Sequence, residues 1–206
     1  MGFVFKWNYD TAGLIGRKQI GKSHLSNEII QMALEEKAKK SDIWILDGKE
    51  AENAKFYKDY PCVYEAKYGE YNVETINKFI KGVYKQHDKL AVFDDIDLFI
   101  KRANESEDLA NFLINAGSGR HIGGVWQAKR LANIDARVLT ESKYLVIGQG
   151  IVMQDLDKLE DSTGFNRELY EKEISIDPNP HKYILLNTFT HENEVITSLK
   201  DGEVSK

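Results

Sequence analysis

The sequence has little cysteine, little proline and no long apolar run, and each shortage excludes a class of protein. A single cysteine, Cys62, among 206 residues excludes a disulfide framework or a cysteine zinc site within one chain. Three prolines and no low-complexity segment argue against long linkers. No apolar run approaches the length of a membrane span, and residues 1–7 are too short and too aromatic for a signal peptide. We therefore expect an intracellular protein without membrane contact, folded as one domain over residues 1–206.

The charge balance limits the partners that the whole surface can attract. The chain carries 28 Lys and Arg residues against 33 Asp and Glu residues, which gives a formal net charge of -5. A surface of this sign does not attract the phosphate backbone of nucleic acids. Any contact with DNA must therefore come from a local basic patch or from loops that are gathered in an oligomer.

What the sequence does contain is a glycine-rich loop between a predicted strand, residues 11–15, and a predicted helix, residues 22–40. Residues 16–23, GRKQIGKS, fit the pattern G-x-x-x-x-G-K-[ST] at every position. The backbone N–H groups of such a loop surround a β-phosphate, and the start of the following helix adds further donors. We expect a nucleotide to contact the loop and the residue after it: Gly16, Arg17, Lys18, Gln19, Ile20, Gly21, Lys22, Ser23 and His24.

Three side chains in this region have predicted roles of their own. Lys22 would reach the β- and γ-phosphates of a bound nucleotide, and the Ser23 hydroxyl would be a ligand of Mg²⁺. His24 is expected to face solvent. The alternative, a chance match to the pattern beside a surface lysine, is disfavoured by the strand and the helix that flank the loop.

A second nucleotide signature follows a central apolar strand. Residues 89–93, KLAVF, predict a strand that is buried on both faces, and Asp94 and Asp95 come directly after it. We expect this strand to end beside the glycine loop, where open α/β sheets bind ligands. Asp94 would then hold Mg²⁺, and Asp95 would position the attacking water or accept its proton. The alternative is a strand that ends in solvated acids without a function.

The alternation of apolar strands with amphipathic helices predicts an α/β fold with a central, mostly parallel sheet flanked by helices. We expect strands at residues 11–15, 42–47, 62–66, 89–93, 122–127, 144–148, 182–187 and 194–199. The first two, which are joined by a helix, should pair in parallel. The last two should form an antiparallel hairpin within residues 180–200.

Three further segments carry specific expectations. Residues 1–10 predict an N-terminal arm or edge strand, whose aromatic side chains are a possible partner surface. Residues 50–60 predict a polar excursion. A helix that begins near Ser106 should be stopped by the glycines at 117–119, and Asp97 is expected to start a helix.

The order of these motifs resembles the FtsK/HerA superfamily of ring-forming DNA pumps, and within it viral genome-packaging ATPases. In size and style the chain is most similar to the packaging NTPases of archaeal turreted icosahedral viruses. The resemblance covers residues 11–150. It rests on the glycine loop, a strand that ends at Asp47, the acid pair, and residues 119–121, GRH, ahead of a strand that ends at Gln127. It implies a P-loop NTPase fold of the RecA-like (ASCE) type.

The resemblance also implies roles for individual residues. Asp94 would be the metal acid, and Asp95 stands where the family usually has a catalytic glutamate. Gln127 would be the sensor amide that contacts the γ-phosphate. Arg120 would reach the nucleotide of a neighbouring subunit. The chain departs from the family at residues 128–130, AKR, which lack the usual proline, and in the short spacing between Arg120 and Gln127.

Alternatives remain for the last two residues. From the sequence alone Gln127 is equally compatible with an ordinary polar residue at a strand end. The arginine that acts on the neighbouring subunit is Arg120 or one of Arg102, Arg130 and Arg137.

By this resemblance the function is hydrolysis of ATP with Mg²⁺, which drives translocation of double-stranded DNA into a viral capsid. The chain would work as a homo-oligomeric ring that meets capsid vertex proteins, in the host cytoplasm or associated with the virion. One alternative is a P-loop small-molecule kinase, which requires paired arginines in a lid that the sequence lacks. The other is a nucleotide-dependent assembly protein, whose ATP only locks subunit contacts.

Overall fold

The chain, in a computed structural model that describes residues 3–48, 57–179 and 181–199, alternates strands with helices. The strands are β1 (Thr11–Ile15), β2 (Ile43–Asp47), β3 (Cys62–Glu65), β4 (Lys89–Phe93), β5 (Ile122–Ala128), β6 (Tyr144–Ile147), β7 (Tyr183–Asn187) and β8 (Glu192–Ile196). The helices are α1 (Lys22–Glu35), α2 (Val73–Val83), α3 (Glu107–Arg120), α4 (Ala136–Thr140), α5 (Met153–Thr163) and α6 (Arg167–Glu173). This alternation confirms the predicted α/β class. The predicted excursion at 50–60 lies outside the described residues up to position 56.

The strands form one eight-stranded sheet in the order β3-β2-β4-β5-β1-β6-β7-β8. All pairs from β3 to β6 are parallel, and the pairs β6–β7 and β7–β8 are antiparallel. The predicted central parallel sheet and late antiparallel hairpin are therefore confirmed. Because parallel strands run in one direction, β1, β2, β4 and β5 all end at the same edge of the sheet.

The centre of the sheet differs from the expectation that β1 and β2 pair directly. They are parallel, but β5 and β4 lie between them. All seven residues of β5 are buried, as suits a strand that is covered on both faces in the interior of the sheet. Its Gly123 also allows backbone to approach closely, since a Cβ there would lie 2.1 Å from the carbonyl oxygen of Trp7.

A hydrophobic core lies on each face of the sheet. Helix α1 covers one face with Leu25, Ile29 and Ile30, which recur at helical spacing. Helices α2, α3, α5 and α6 cover the other face, around the fully buried Trp126. Within the described ranges, none of the helices combines the length and the apolar character that a bilayer crossing requires.

The N-terminal segment is not the predicted arm or edge strand. Residues 3–10 run irregularly along the sheet, and Phe3 and Phe5 are only 3% and 2% exposed. The ring centroid of Phe3 lies 4.7 Å from that of Tyr144. These two aromatic side chains therefore complete the core beside β6, where apolar burial stabilises the fold, and do not form a partner surface.

Two helix ends also differ from expectation. Helix α1 ends at Glu35 rather than at residue 40, because Lys37 adopts a left-handed backbone with φ 80°. Helix α3 runs through the glycines at 117–119 and ends at Arg120. Gly117 serves packing there, since a Cβ on it would lie 2.7 Å from the carbonyl oxygen of Tyr9.

The two glycines of α3 should respond oppositely to alanine. Gly119→Ala meets no atom within 4 Å, so the helix should gain about 0.5–1 kcal/mol of unfolding free energy from the better helix former. Gly117→Ala should lose about 1–3 kcal/mol because the new methyl group meets the Tyr9 backbone. Urea denaturation of both variants checks this. Equal losses in the two variants would contradict the continuous helix.

Candidate functional site

The glycine loop between β1 and α1 has a backbone that depends on its glycines. Gly16 and Gly21 have φ values of 151° and 91°, in a region that side chains rarely adopt. A Cβ on Gly16 would also lie 2.3 Å from Cδ1 of Ile20. Ile20 is 1% exposed beneath the loop, whereas residues 17–19 are exposed. The loop is therefore a backbone arch that is held from below by one apolar side chain.

Contacts from β5, from β7 and from the turn after β6 fix this loop in place. The Gly16 N–H donates to the carbonyl oxygen of Ala128 at the end of β5, at 3.1 Å. The Arg17 N–H donates to the carbonyl oxygen of Gln149 at 3.0 Å, and its guanidinium donates to the Gln149 side chain at 3.1 Å. The Tyr183 hydroxyl of β7 donates to the carbonyl oxygen of Ile20. The loop is thus tied to elements that lie far along the chain.

Lys22 lies inside this arch. Its side chain is largely buried, and Nζ donates to the carbonyl oxygens of Gly16 at 2.7 Å and of Arg17 at 3.0 Å. Helix α1 begins here without a side-chain cap and without an acid in its first turn. The N–H groups of that turn and a buried ammonium group therefore face the same loop, an arrangement that suits an anion.

The two residues after Lys22 lie at the first turn of α1. Ser23 is half-buried at the start of the helix. His24 is exposed, as predicted, and its Nε2 lies 3.3 Å from a carboxylate oxygen of Glu28.

A row of three polar side chains crosses the sheet at the edge where the loop lies. Leu46 pairs with Phe93 and Phe93 pairs with Trp126, so the next residues along, Asp47, Asp94 and Gln127, are neighbours. Their exposures are 2%, 0% and 0%. We call these three residues the polar row. Because side chains alternate along a strand, the polar row shares the face of the sheet that α1 covers.

Gln127 connects the polar row to the glycine loop. It pairs in register with Leu14 of β1, one residue before the loop's strand ends. Both polar atoms of its side chain are buried, and neither makes a well-aligned hydrogen bond within the part of the chain that the structure describes. Asp94 and Gln127, which are far apart in sequence, are thus brought together beside the loop.

Asp95 has a different environment from Asp94. Its backbone is left-handed, with φ 48°, and its side chain is fully buried. Nζ of Lys129 lies 2.9 Å from its Oδ2. Lys129 is two residues past Gln127, on the turn that follows β5. The carboxylate that was predicted to act on water is therefore held by a cation from the end of the strand that carries Gln127.

Asp97 is not the helix-starting residue that was predicted. It lies in a short 3₁₀ turn, and its carboxylate accepts hydrogen bonds from the backbone N–H groups of Lys129 and Arg130. Burial raises the pKa of the Asp97 carboxyl above its ordinary value, although these two N–H groups oppose the change. Asp97 therefore anchors the turn after β5 to the turn after β4.

Arg120 lies far from the loop of its own chain. It is the last residue of α3, two positions before β5 begins at Ile122, so it is at the opposite edge of the sheet from the polar row. Its guanidinium carbon lies 4.9 Å from the ring centroid of Tyr84, at cation–π distance. Within one subunit the structure does not bring Arg120 together with the other predicted site residues.

The other candidate arginines have partners or positions of their own. Arg130 donates to the buried Asp155 at 2.9 Å, and Arg137 forms two hydrogen bonds with Asp135 at 3.2 and 2.8 Å. Arg102 is exposed after the 3₁₀ turn that follows the acid pair. All three residues are exposed, and Arg130 also meets the turn after β4 through its backbone N–H, which donates to Asp97 at 3.2 Å.

Several residues of the site were missed by the sequence analysis. Gln149 and Tyr183 hold the glycine loop, Lys129 pairs with Asp95, and Tyr57 is 1% exposed among the side chains that α1 covers. None belongs to a short motif, and Gln149, Tyr183 and Tyr57 reach the site from distant parts of the chain. Only Lys129 had a local signal, namely its position two residues after Gln127.

Comparison with known proteins places this arrangement among known folds. No protein-family model matches the sequence, and no curated protein matches it. A structure of the genome packaging NTPase B204 from Sulfolobus turreted icosahedral virus 2, in complex with ATP-gammaS, superimposes with a TM-score of 0.74 at 15% identity. That match covers 94% of this chain and 99% of B204.

Two further structures share the fold. The DNA-packaging ATPase B204 from Sulfolobus turreted icosahedral virus has a TM-score of 0.69 at 17% identity, with 92% of this chain and 97% of that chain covered. The cytoplasmic domain of the type VII secretion ATPase EccC from Thermomonospora curvata has a TM-score of 0.64 at 11% identity. This second match covers 94% of the present chain but 24% of EccC. These likenesses confirm the predicted P-loop NTPase fold and the predicted resemblance to packaging ATPases.

Loss of the Lys129 ammonium should destabilise the protein through Asp95. In Lys129→Met the fully buried carboxylate loses its cation, which should cost about 3–5 kcal/mol of unfolding free energy. Adding Asp95→Asn removes the buried charge and should recover most of that loss. Lys172→Met, at a lysine whose side chain is 76% exposed, is the control and should change little. Chemical denaturation measures all four proteins. A loss that Asp95→Asn does not relieve would contradict the pairing.

Proposed function

We propose that this protein binds ATP on the glycine loop and hydrolyses it. The observation that carries the proposal is the meeting of Asp94, Asp95 and Gln127 at the edge of the sheet where Lys22 lies inside the loop. A nucleotide-binding loop alone fits any triphosphate protein. A buried carboxylate pair and an amide beside it add the groups that hydrolysis requires.

Binding follows from the loop and the start of α1. The backbone N–H groups of residues 16–21 and of the first turn of α1 would surround the β-phosphate. Nζ of Lys22 now donates to two neutral carbonyl oxygens, and a phosphate offers a charged acceptor for stronger hydrogen bonds. Lys22 would therefore turn from the loop carbonyls to the β- and γ-phosphates.

The residues present fit a magnesium ion. Asp94 is fully buried in the polar row, and Ser23 lies at the first turn of α1. Mg²⁺ prefers oxygen ligands and keeps several waters, so one carboxylate and one hydroxyl beside a triphosphate suffice. When bound, the ion would neutralise charge on the phosphate oxygens. The chain's own tasks are to hold that ion with Asp94 and Ser23 and to shield the site with α1.

Asp95 and Gln127 would act on the attacking water and on the γ-phosphate. Asp95 would orient the attacking water and accept its proton, and the amide of Gln127 would donate to the γ-phosphate. Lys129 follows the end of β5 directly, so a displacement of Gln127 would change the contact of Lys129 with the Asp95 carboxylate. Hydrolysis would thus be linked to a shift of one strand end.

The wider role that we propose is translocation of double-stranded DNA into a viral capsid by a homo-oligomeric ring. Support comes from the likeness to B204, which is described as a genome packaging NTPase and a DNA-packaging ATPase. Arg120 would act on the nucleotide of a neighbouring subunit. Capsid vertex proteins would be further partners, in the host cytoplasm or in the virion. Because the net charge is -5, DNA contacts would come from basic loops that the ring gathers, and binding would weaken with salt.

The first test is ATPase activity with and without duplex DNA. We expect turnover that requires Mg²⁺, rises with DNA and falls to background in Lys22→Ala, because that variant lacks the ammonium group that contacts the phosphates. The control is Lys172→Met, which lies on the surface. Turnover that ignores DNA but rises with a nucleoside would instead favour a small-molecule kinase. Nucleotide binding without turnover would favour an assembly protein.

The second test concerns Arg120. Arg120→Ala should keep ATP affinity and lose about a thousandfold in turnover, as expected for an arginine that acts only in the transition state. Arg167→Ala, at a surface arginine paired with acids of α5 and α6, is the matched control. Mixing Arg120→Ala chains with Lys22→Ala chains should recover part of the activity, since one intact composite site forms between them. Wild-type turnover in Arg120→Ala contradicts the assignment.

A further inference from the structure

Arg120 ends α3 with its guanidinium on an aromatic ring instead of on a carboxylate. The guanidinium carbon lies 4.9 Å from the ring centroid of Tyr84, the residue that follows α2. Within the described part of the chain, Arg120 forms no ion pair. Arg130, Arg137 and Arg167, by contrast, each bind a carboxylate. A guanidinium that is stacked on a ring keeps its in-plane N–H donors for another acceptor. Arg120 is therefore held in place with its hydrogen-bonding capacity intact.

The ring of Tyr84 is itself fixed by the core. It meets the ring of Phe112 edge to face, with the two centroids 6.3 Å apart and an angle of 64° between the planes. Phe112 is 2% exposed, in the core that α2 and α3 cover. Aromatic pairs of this kind have a preferred geometry, so the orientation of the Tyr84 ring is defined. Tyr84 is half-buried, and the guanidinium of Arg120 lies over its ring.

The backbone at the end of α3 is fixed as well. The carbonyl oxygen of Arg120 accepts a hydrogen bond from the N–H of Asp88 at 3.1 Å. The carbonyl oxygen of His121 accepts one from the N–H of Lys89, also at 3.1 Å. Asp88 and His121 both have left-handed backbones, with φ values of 53° and 54°. Oδ1 of Asp88 lies 3.2 Å from Nδ2 of Asn8 and 3.4 Å from Nδ1 of His121. Arg120 is thus tied through its backbone to an aspartate whose carboxylate contacts other side chains.

We propose that Tyr84 is a positioning residue that orients the Arg120 guanidinium for a phosphate of the nucleotide on a neighbouring subunit. This inference rests on the proposed function, in which Arg120 acts on that nucleotide. An unrestrained arginine side chain samples many rotamers, and it loses this freedom when it binds. The Tyr84 ring removes part of that freedom beforehand, because the cation–π contact favours one placement of the guanidinium. A phosphate then meets planar donors that are already arranged.

The test is steady-state ATPase activity of the full chain, with Mg²⁺ and duplex DNA present. Tyr84→Leu removes the ring and should lower kcat about three- to tenfold, with KM for ATP within about twofold of the wild-type value. Tyr84→Phe keeps the ring face and should retain kcat within about twofold. In the Arg120→Ala background Tyr84→Leu should cause no further loss, because Tyr84 acts only through that guanidinium. Tyr84→Met, whose flexible side chain can still pack on Phe112, replaces Tyr84→Leu if the latter folds poorly.

The control is Tyr60→Leu, which removes a ring with a cation over it elsewhere in the protein. Nζ of Lys40 lies 5.6 Å from the Tyr60 ring centroid, and Tyr60 belongs to the core on the other face of the sheet, so kcat should not change. Wild-type kcat in Tyr84→Leu overturns the proposal. So does an equal loss in Tyr84→Phe, or a further loss in the Arg120→Ala background, since both indicate that the ring does not act through Arg120.

Failure of the proposed function itself gives different results. Wild-type turnover in Arg120→Ala removes the role of that arginine, and the positioning role of Tyr84 with it. A wild-type protein without Lys22-dependent turnover removes the ATPase function. Neither result can be confused with a loss in Tyr84→Leu that fails to depend on Arg120.

Discussion

The parallel pairing of β1 with β5, and of β5 with β4, is the constraint on which the site depends. It gives the ends of three strands a common edge, although Ile15, Phe93 and Ala128 are far apart in the chain. The register matters as much as the order. A slip of one residue turns every side chain of a strand to the opposite face, so Gln127 would leave the polar row and point away from α1. The hydrogen-bond ladder therefore specifies chemistry as well as architecture.

The second constraint is the number of charged groups that the site buries. Lys22, Asp47, Asp94 and Asp95 are each 6% exposed or less. Removing charges from water costs free energy that close partners only partly return. Such groups are retained for what they bind rather than for stability. The pairing of Asp95 with Lys129 keeps one of these carboxylates compatible with a dry interior, and it also connects that carboxylate to the end of β5.

The sequence predicted the parts of this structure that are governed by local patterns. Strands β1 and β4 have the predicted bounds because both are apolar runs flanked by clear turns. The glycine loop could be recognised from the sequence because its backbone conformation requires glycine at positions 16 and 21. The place of Asp94 beside the loop followed from the rule that open α/β sheets bind ligands at strand ends, and the γ-phosphate role of Gln127 came from a family resemblance. The strand order did not follow from the sequence, because β1 and β2 are joined locally but do not pair.

Non-local packing explains what the sequence analysis missed. The sequence predicts a helix end at Gly117, but the helix continues there, and the absence of a side chain lets the backbone of Tyr9 pack closely against it. Phe3 has the appearance of a partner surface, but it fills a space beside Tyr144. Tyr57 and Gln149 acquire their positions only when segments far apart in the chain meet.

The hydrogen bond from Tyr183 to the Ile20 carbonyl has a consequence for how the protein is made. The two residues are separated by 163 positions. At a synthesis rate of about 5–20 residues per second, the ribosome needs roughly 8–30 s to reach Tyr183 after it has made Ile20. During that interval the glycine loop of the nascent chain lacks the hydrogen bond from Tyr183 to the Ile20 carbonyl oxygen. The first site motif to leave the ribosome is therefore among the last parts of the protein to reach its final form.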